Sequence, residues 1–153
     1  MGREIERKFL VTGDGWRKAA VSSHHIAQAY IASGNGNEIR IRIVDGDRAR
    51  LTIKSAEAEQ DRDEYEYDVP LEEAKRLYLL AERGAVLKRR HVVPAGGGLE
   101  WEIDVFEGAN EGLIVAEIEL DEASQDFARP DWLGEEVTGQ REYYNAELAK
   151  AQL

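Results

Sequence analysis

Apolar and polar residues alternate along most of this chain. Runs with a period of two recur near 4–11, 25–32, 38–45, 48–55, 62–69, 86–93, 100–106 and 114–120, the pattern of strands whose side chains point to two faces in turn. "VDGDR" (Val44 to Arg48) puts an Asp-Gly pair between two runs, a strong hairpin signal, and "PAGGG" (Pro94 to Gly98) separates another pair. Helical spacing covers Leu71–Gly84, which follows Pro70, carries Glu72 and Glu73 in its first turn and ends on glycine. Two shorter helical stretches, "GDGWRKAAV" and "REYYNAELAKAQL", follow the first strand and close the chain. Eight strands with few helices predict a mainly β (α+β) fold, a closed eight-stranded antiparallel barrel with flanking helices, because closure removes exposed sheet edges. No repeat or linker interrupts the pattern, so residues 1–153 read as one domain.

The strands are amphipathic in an unusual way. One face of successive strands carries Glu4, Glu6 and Lys8; Arg40 and Arg42; Arg50, Thr52 and Lys54; Arg62, Glu64 and Glu66; Lys88 and Arg90; Glu102 and Asp104; Glu117 and Glu119. The opposite faces carry Ile5, Phe9 and Val11; Ile39, Ile41 and Ile43; Leu51 and Ile53; Tyr65 and Tyr67; Trp101, Ile103 and Val105. Taken alone, alternation favours a charged face in water, since charges are almost never buried without partners. The other arrangement is a barrel lined with both signs of charge, which is stable only if a multiply charged ligand and its counter-ions fill it.

Composition narrows the setting. The formal net charge is -11, from 31 acidic and 20 basic residues, which argues against nucleic-acid or anionic-membrane partners. There is no cysteine, so disulfides and thiolate metal sites are excluded. No apolar run reaches membrane length and no signal-peptide pattern opens the chain, so a soluble, cytoplasmic protein is expected.

The motifs in order, "EIERKFL", "EIRIR", "LTIKS", "DEYEYDVP", "VLKRR", "LEWEIDVF", "GLIVAEIEL" and "PDWLGEEVTGQREYYNAELAK", resemble those of the CYTH, or triphosphate tunnel metalloenzyme, family. The first resembles that family's ExExK signature, and the likeness runs through essentially the whole chain. It implies a tunnel that takes a linear triphosphate with one or two Mg2+ or Mn2+ ions, and it turns the choice toward the charged interior. By this resemblance Glu4 and Glu6, with Glu117 and Glu119, would hold a metal, which suits ions that prefer hard oxygen ligands. Glu64, Glu66 and Asp104 would complete a second position or orient the cations around them. Lys8, Arg40, Arg42, Lys54, Lys88 and Arg90 would line the phosphate track, where forked guanidiniums and ammoniums match a run of acceptors. Tyr30 would pair with Lys54 in handling a proton. Arg50 and Arg62 share the face but fit solvated rim positions better.

Other features carry less. His24 and His25 are adjacent in a strand and face opposite ways, so they share no metal, and Gly96 to Gly98 form a turn, with no P-loop lysine beside them. Asn145 and Lys150 receive no role. Within the family, only three residues precede Glu4, which weighs against a cyclase; "NGNEIRIR" has Glu38 where animal thiamine triphosphatases have tryptophan. The favoured reading is hydrolysis of inorganic triphosphate, a small-molecule substrate. A class IV adenylate cyclase, a thiamine triphosphatase and a non-catalytic polyphosphate- or nucleotide-binding barrel remain as alternatives, and a homodimer stays open.

Overall fold

The computed structural model describes residues 2–34, 37–55, 62–81 and 84–152, without the side chains of residues 2–4, 33, 34, 62 and 152. Ten strands form one antiparallel sheet: β1 (Gly2–Glu4), β2 (Glu6–Val11), β3 (Ser22–Gly34), β4 (Asn37–Val44), β5 (Arg48–Lys54), β6 (Arg62–Asp68), β7 (Ala85–Gly96), β8 (Leu99–Phe106), β9 (Ile114–Glu119) and β10 (Leu133–Glu136). Their order is β1-β6-β5-β4-β3-β7-β8-β9-β2-β10. Since only Ile5 separates β1 from β2, the order returns to the extended run in which it began. That run pairs with β6 through Glu4↔Arg62 and with β9 through Glu6↔Glu119, giving eight strand positions around a tunnel.

Turn chemistry sets the registers. Asp45 and Gly46 both take positive φ, 53° and 71°, and the Asp47 N–H donates to the Val44 carbonyl at 3.1 Å. This is the twist-matched hairpin turn that Asp-Gly favours. It fixes Arg42 opposite Arg50 and Arg40 opposite Thr52, so one file of side chains faces the tunnel.

The outward faces are covered in two places. Phe9, Trp16, Trp101, Ile103, Ala116 and Ile118 are buried beneath Phe127, Trp132 and Leu133, with Trp101 edge-on to Phe9, Phe127 and Trp132 at centroid distances of 5.7, 5.6 and 5.4 Å. Across β3, β4 and β5, helix α1 (Leu71–Tyr78) sets Ala74 against Ala29, Ile41 and Ala49. This helix is shorter than its sequence pattern. At Leu80 and Ala81 the amides bond three residues back, to Leu77 and Tyr78, and Leu79 and Leu80 face solvent, so the apolar stripe that would sustain another turn is lost. Of the other helical stretches, the first yields only a 3-10 turn over Arg17–Ala19. The last becomes a 3-10 turn, a short helix α2 (Asn145–Leu148) and a further 3-10 turn.

Strand β10 has no counterpart in the sequence reading. Its four residues show no alternation and make an irregular register with β2, Leu133↔Val11 and Glu136↔Phe9. A Cβ on Gly134 would lie 2.8 Å from the Leu10 carbonyl oxygen, so the close approach needs glycine. Gly134→Ala is expected to cost about 1–3 kcal/mol through backbone displacement, read as a lower urea midpoint; an unchanged midpoint would mean that β10 is loosely held.

Candidate active site

The inward files change character along the tunnel, all in one direction. Glu6 and Lys8 give way to Leu10 on β2, Glu119 and Glu117 to Val115 on β9, Glu102 and Asp104 to Phe106 on β8, and Arg90 and Lys88 to Val86 on β7. At the apolar end Tyr30, Val86, Phe106 and Val115 are buried against Ala146, Leu148 and Ala149. The C-terminal segment thus seals one end. The Asn110 side-chain amide holds it by donating to the Leu148 carbonyl at 3.0 Å, and Lys8 Nζ does so by donating to the Tyr143 carbonyl at 3.1 Å.

Above the seal lies a cavity of about 200 Å³, lined by Glu6, Lys8, Tyr30, Glu38, Arg40, Arg42, Lys54, Glu64, Glu66, Arg90, Glu102, Glu117, Glu119, Tyr144 and Asn145. It therefore brings together eleven of the residues expected from sequence: Glu6, Lys8, Tyr30, Arg40, Arg42, Lys54, Glu64, Glu66, Arg90, Glu117 and Glu119. Glu4 sits on β1, and its side chain lies outside the described residues, as does that of Arg62. Arg50 is half exposed, ion-paired with Glu66 at 3.4 Å and Asp68 at 3.2 Å.

Lys88 and Asp104 lie deeper on the same inward files, between the cavity and the apolar seal, and do not line the cavity. Both are fully buried, 0% and 1% exposed. Asp104 receives Arg90 Nε at 2.8 Å on one oxygen, and Arg90 Nη2 at 2.9 Å and Lys88 Nζ at 2.7 Å on the other. Arg90 also donates to Glu102 at 3.2 Å, so two acids fix its guanidinium in the wall. The five cations and seven carboxylates of the described lining leave the cavity net negative.

Electrostatics follow from this crowding. Burial works to raise the Asp104 carboxyl, but Arg90 and Lys88 outweigh it and hold the group well below the usual carboxylate range. Burial also opposes ionisation of Glu117, yet Lys8, 3.9 Å away, and Arg90 hold it down at about 2. Burial, then Arg40 and Arg90, lowers Arg42 to about 9, still charged at neutral pH. Burial pushes the Tyr30 phenol far up, so it stays a neutral O–H. Gln28 links the last two: Arg42 Nε donates to Gln28 Oε1 at 2.8 Å, and Gln28 Nε2 donates to Tyr30 Oη at 2.7 Å.

Four lining residues had no assigned role: Glu38, Glu102, Tyr144 and Asn145. Glu38 was legible, because it precedes Arg40 and Arg42 by the same interval of two and faces Lys54 in register. Tyr144 and Asn145 lie in a 3-10 and helical segment where a period-two reading has no purchase. His24 and His25 hydrogen-bond to separate carboxylates, Asp45 at 2.7 Å and Glu107 at 2.9 Å.

Fold and cavity together define an antiparallel β-barrel with an ionic interior. The chain belongs to the CYTH domain family, whose model matches residues 2–152. It is 40% identical over 151 residues to the inorganic triphosphatase of Acetivibrio thermocellus, a match covering 98% of this chain and 95% of that protein. Over 83 residues it is 35% identical to the inorganic triphosphatase of Nitrosomonas europaea, covering 53% of this chain and 55% of that one. The crystal structure of the inorganic triphosphatase NE1496 superposes with a TM-score of 0.67 at 34% identity, covering 98% of this chain and 96% of that one. A Hippeastrum protein described as a putative adenylyl cyclase with dominant triphosphatase activity shares the fold, with a TM-score of 0.61 at 18% identity over 78% of this chain and 80% of that one.

Asp104→Asn would leave Lys88 without its carboxylate and Arg90 with Glu102 alone, and we expect a loss of roughly 3–5 kcal/mol at pH 7, measured by urea denaturation. Because the folded-state carboxyl is depressed, its contribution is complete above the unfolded pKa of about 3.9 and fades as pH falls below it. The gap between the two proteins should therefore narrow only in that acid range; a gap constant down to pH 2 would contradict the assignment.

Proposed function

We propose that this protein hydrolyses inorganic triphosphate to pyrophosphate and phosphate in the barrel, with divalent cations as obligatory partners. One observation carries the reading: the cavity collects five cations from four strands yet is net negative. A bare polyanion is repelled by such a wall, whereas a polyanion bearing divalent cations satisfies both its acids and its bases. The near-full-length likeness to a protein named inorganic triphosphatase supports the same substrate.

The donor set fits Mg2+ or Mn2+. Glu6 pairs with Glu119 and Lys8 with Glu117 across β2 and β9, so carboxylates from two adjoining strands share the wall. Among the described residues no three acids or histidines converge on one point, which suits ions that draw most of their oxygens from phosphate and water. Glu6, Glu117 and Glu119, with Glu4, would hold the first ion, and Glu64 and Glu66 face the cavity from β6 for a second. When bound, the ions supply charge neutralisation on phosphate oxygens and polarisation of the attacking water.

The chain's own residues supply alignment. Arg40, Arg42, Lys54, Lys8 and Arg90 grip successive phosphoryl oxygens, and Arg90 does so from a position fixed by Asp104. Asp104 therefore serves as a positioning residue in this reading, and Lys88 as its counter-charge. Water oxygen bonds to a terminal phosphorus, the P–O–P bridge breaks, and the bridging electrons leave with pyrophosphate. Tyr30, neutral across the working range, can donate a hydrogen bond to the departing oxygen, and Lys54, 3.8 Å from Glu64, is placed to pass the proton. The cavity's two aromatic rings are Tyr30 and Tyr144, the first wedged at the seal, which leaves little platform for a base or thiazolium.

The decisive measurement is phosphate release from tripolyphosphate, ATP and thiamine triphosphate with Mg2+, Mn2+ or EDTA. Cation-dependent release should be fastest from tripolyphosphate, and Glu6→Gln or Glu117→Gln should reduce kcat/KM roughly a hundredfold. No release from tripolyphosphate with either cation would sink the proposal.

A further inference from the structure

Asn145 opens α2 at the sealed end, where its side chain lines the cavity. Lys88 Nζ lies 3.0 Å from Asn145 Oδ1. Paired with the Asp104 carboxylate at 2.7 Å, Lys88 is a donor, so the Asn145 atom that faces it is the carboxamide oxygen. The two Nδ2 hydrogens are then turned away from Lys88, and among the described residues they meet no acceptor. Their surroundings are rigid: Tyr143 is tied to Lys8, Leu148 to Asn110, and Ala146, Leu148 and Ala149 are packed into the apolar end of the barrel.

This arrangement gives Lys88 an indirect route to a ligand. Its own charge is committed to Asp104 at 2.7 Å below the cavity, but its hydrogen bond to the Asn145 oxygen polarises the amide and strengthens the N–H groups on the other side. Resting on the triphosphatase reading above, we infer that Asn145 is a substrate-contacting residue, its carboxamide N–H groups donating to phosphoryl oxygens at the sealed end of the tunnel while Lys88 holds its oxygen. The C-terminal segment is then part of the binding site as well as its stopper. A neutral donor there adds a directional contact where the adjacent charges are already paired.

Two substitutions separate the possible roles. Asn145→Asp keeps an oxygen for Lys88 but removes the donor; Asn145→Leu removes the donor without adding charge. Binding is read by calorimetry with magnesium and imidotriphosphate, whose bridging nitrogens prevent turnover, and anchoring by the melting temperature without ligand. Both variants should bind at least about tenfold more weakly, the loss of a hydrogen bond to a charged group. The Asp variant should melt no lower than the unsubstituted chain. A Leu variant that binds within twofold of the unsubstituted chain overturns the inference, as does an Asp variant whose melting temperature falls together with its affinity. If the unsubstituted chain neither binds the analogue nor hydrolyses tripolyphosphate, the triphosphatase reading fails and the Asn145 contact with it. If it does both and the variants match it, only the Asn145 contact fails.

Discussion

Everything in this molecule depends on tolerating charge inside a closed sheet. A barrel of eight strand positions has an interior too small for free hydration of a dozen ionised groups, and each unpaired one would cost several kcal/mol. The chain meets this constraint in two tiers. Below the cavity, Asp104 is saturated by Arg90 and Lys88, a cluster complete within the protein. Around the cavity, adjacent strands set base beside acid at longer range, as with Lys8 and Glu117 at 3.9 Å and Lys54 and Glu64 at 3.8 Å. Contacts of that length hold side chains in place yet leave room for an ion or a phosphoryl oxygen to enter between them.

The second requirement is an end to the ionic column. Leu10, Val86, Phe106 and Val115 replace charges on four inward files, and Ala146, Leu148 and Ala149 cap them. Burial of this apolar layer fixes the C-terminal segment and therefore the cavity's floor, so packing energy below the ionic residues sets the shape of the cavity. The outward faces perform the task that a core performs elsewhere, with α1 and the Phe127–Leu133 region covering them. The protein is thus turned inside out relative to the usual half-solvated antiparallel sheet.

This inversion explains what the sequence could and could not disclose. Period-two alternation located eight strands and sorted Glu6, Lys8, Arg40, Arg42 and Lys54 onto one face, because strand geometry forces residues two apart together. It could not say which face is interior, since hydration and a ligand-filled tunnel produce the same alternation; the ordered family motifs decided that. Depth along the tunnel was hidden as well. Lys88 and Arg90 look equivalent in "VLKRR", yet one is sealed below the cavity and the other lines it. The difference lies in where Asp104 and the C-terminal segment fall in space. β10 and the Tyr144–Asn145 contribution escaped for a related reason: neither has a repeating pattern, and both are defined by what they pack against.

The charge balance also bears on selectivity. At -11 overall, the surface field repels polyanions at long range, and the cavity wall is itself net negative, so entry is favoured for ligands whose charge has already been reduced by bound cations. A metal-bearing triphosphate satisfies that condition in solution. Nucleic-acid phosphates also carry cations, but as a diffuse atmosphere that is released when a basic surface replaces it, an exchange that a net charge of -11 disfavours. Cation dependence is then a filter at the entrance as much as a requirement of the chemistry within, and both follow from an excess of carboxylates over bases in one enclosed space.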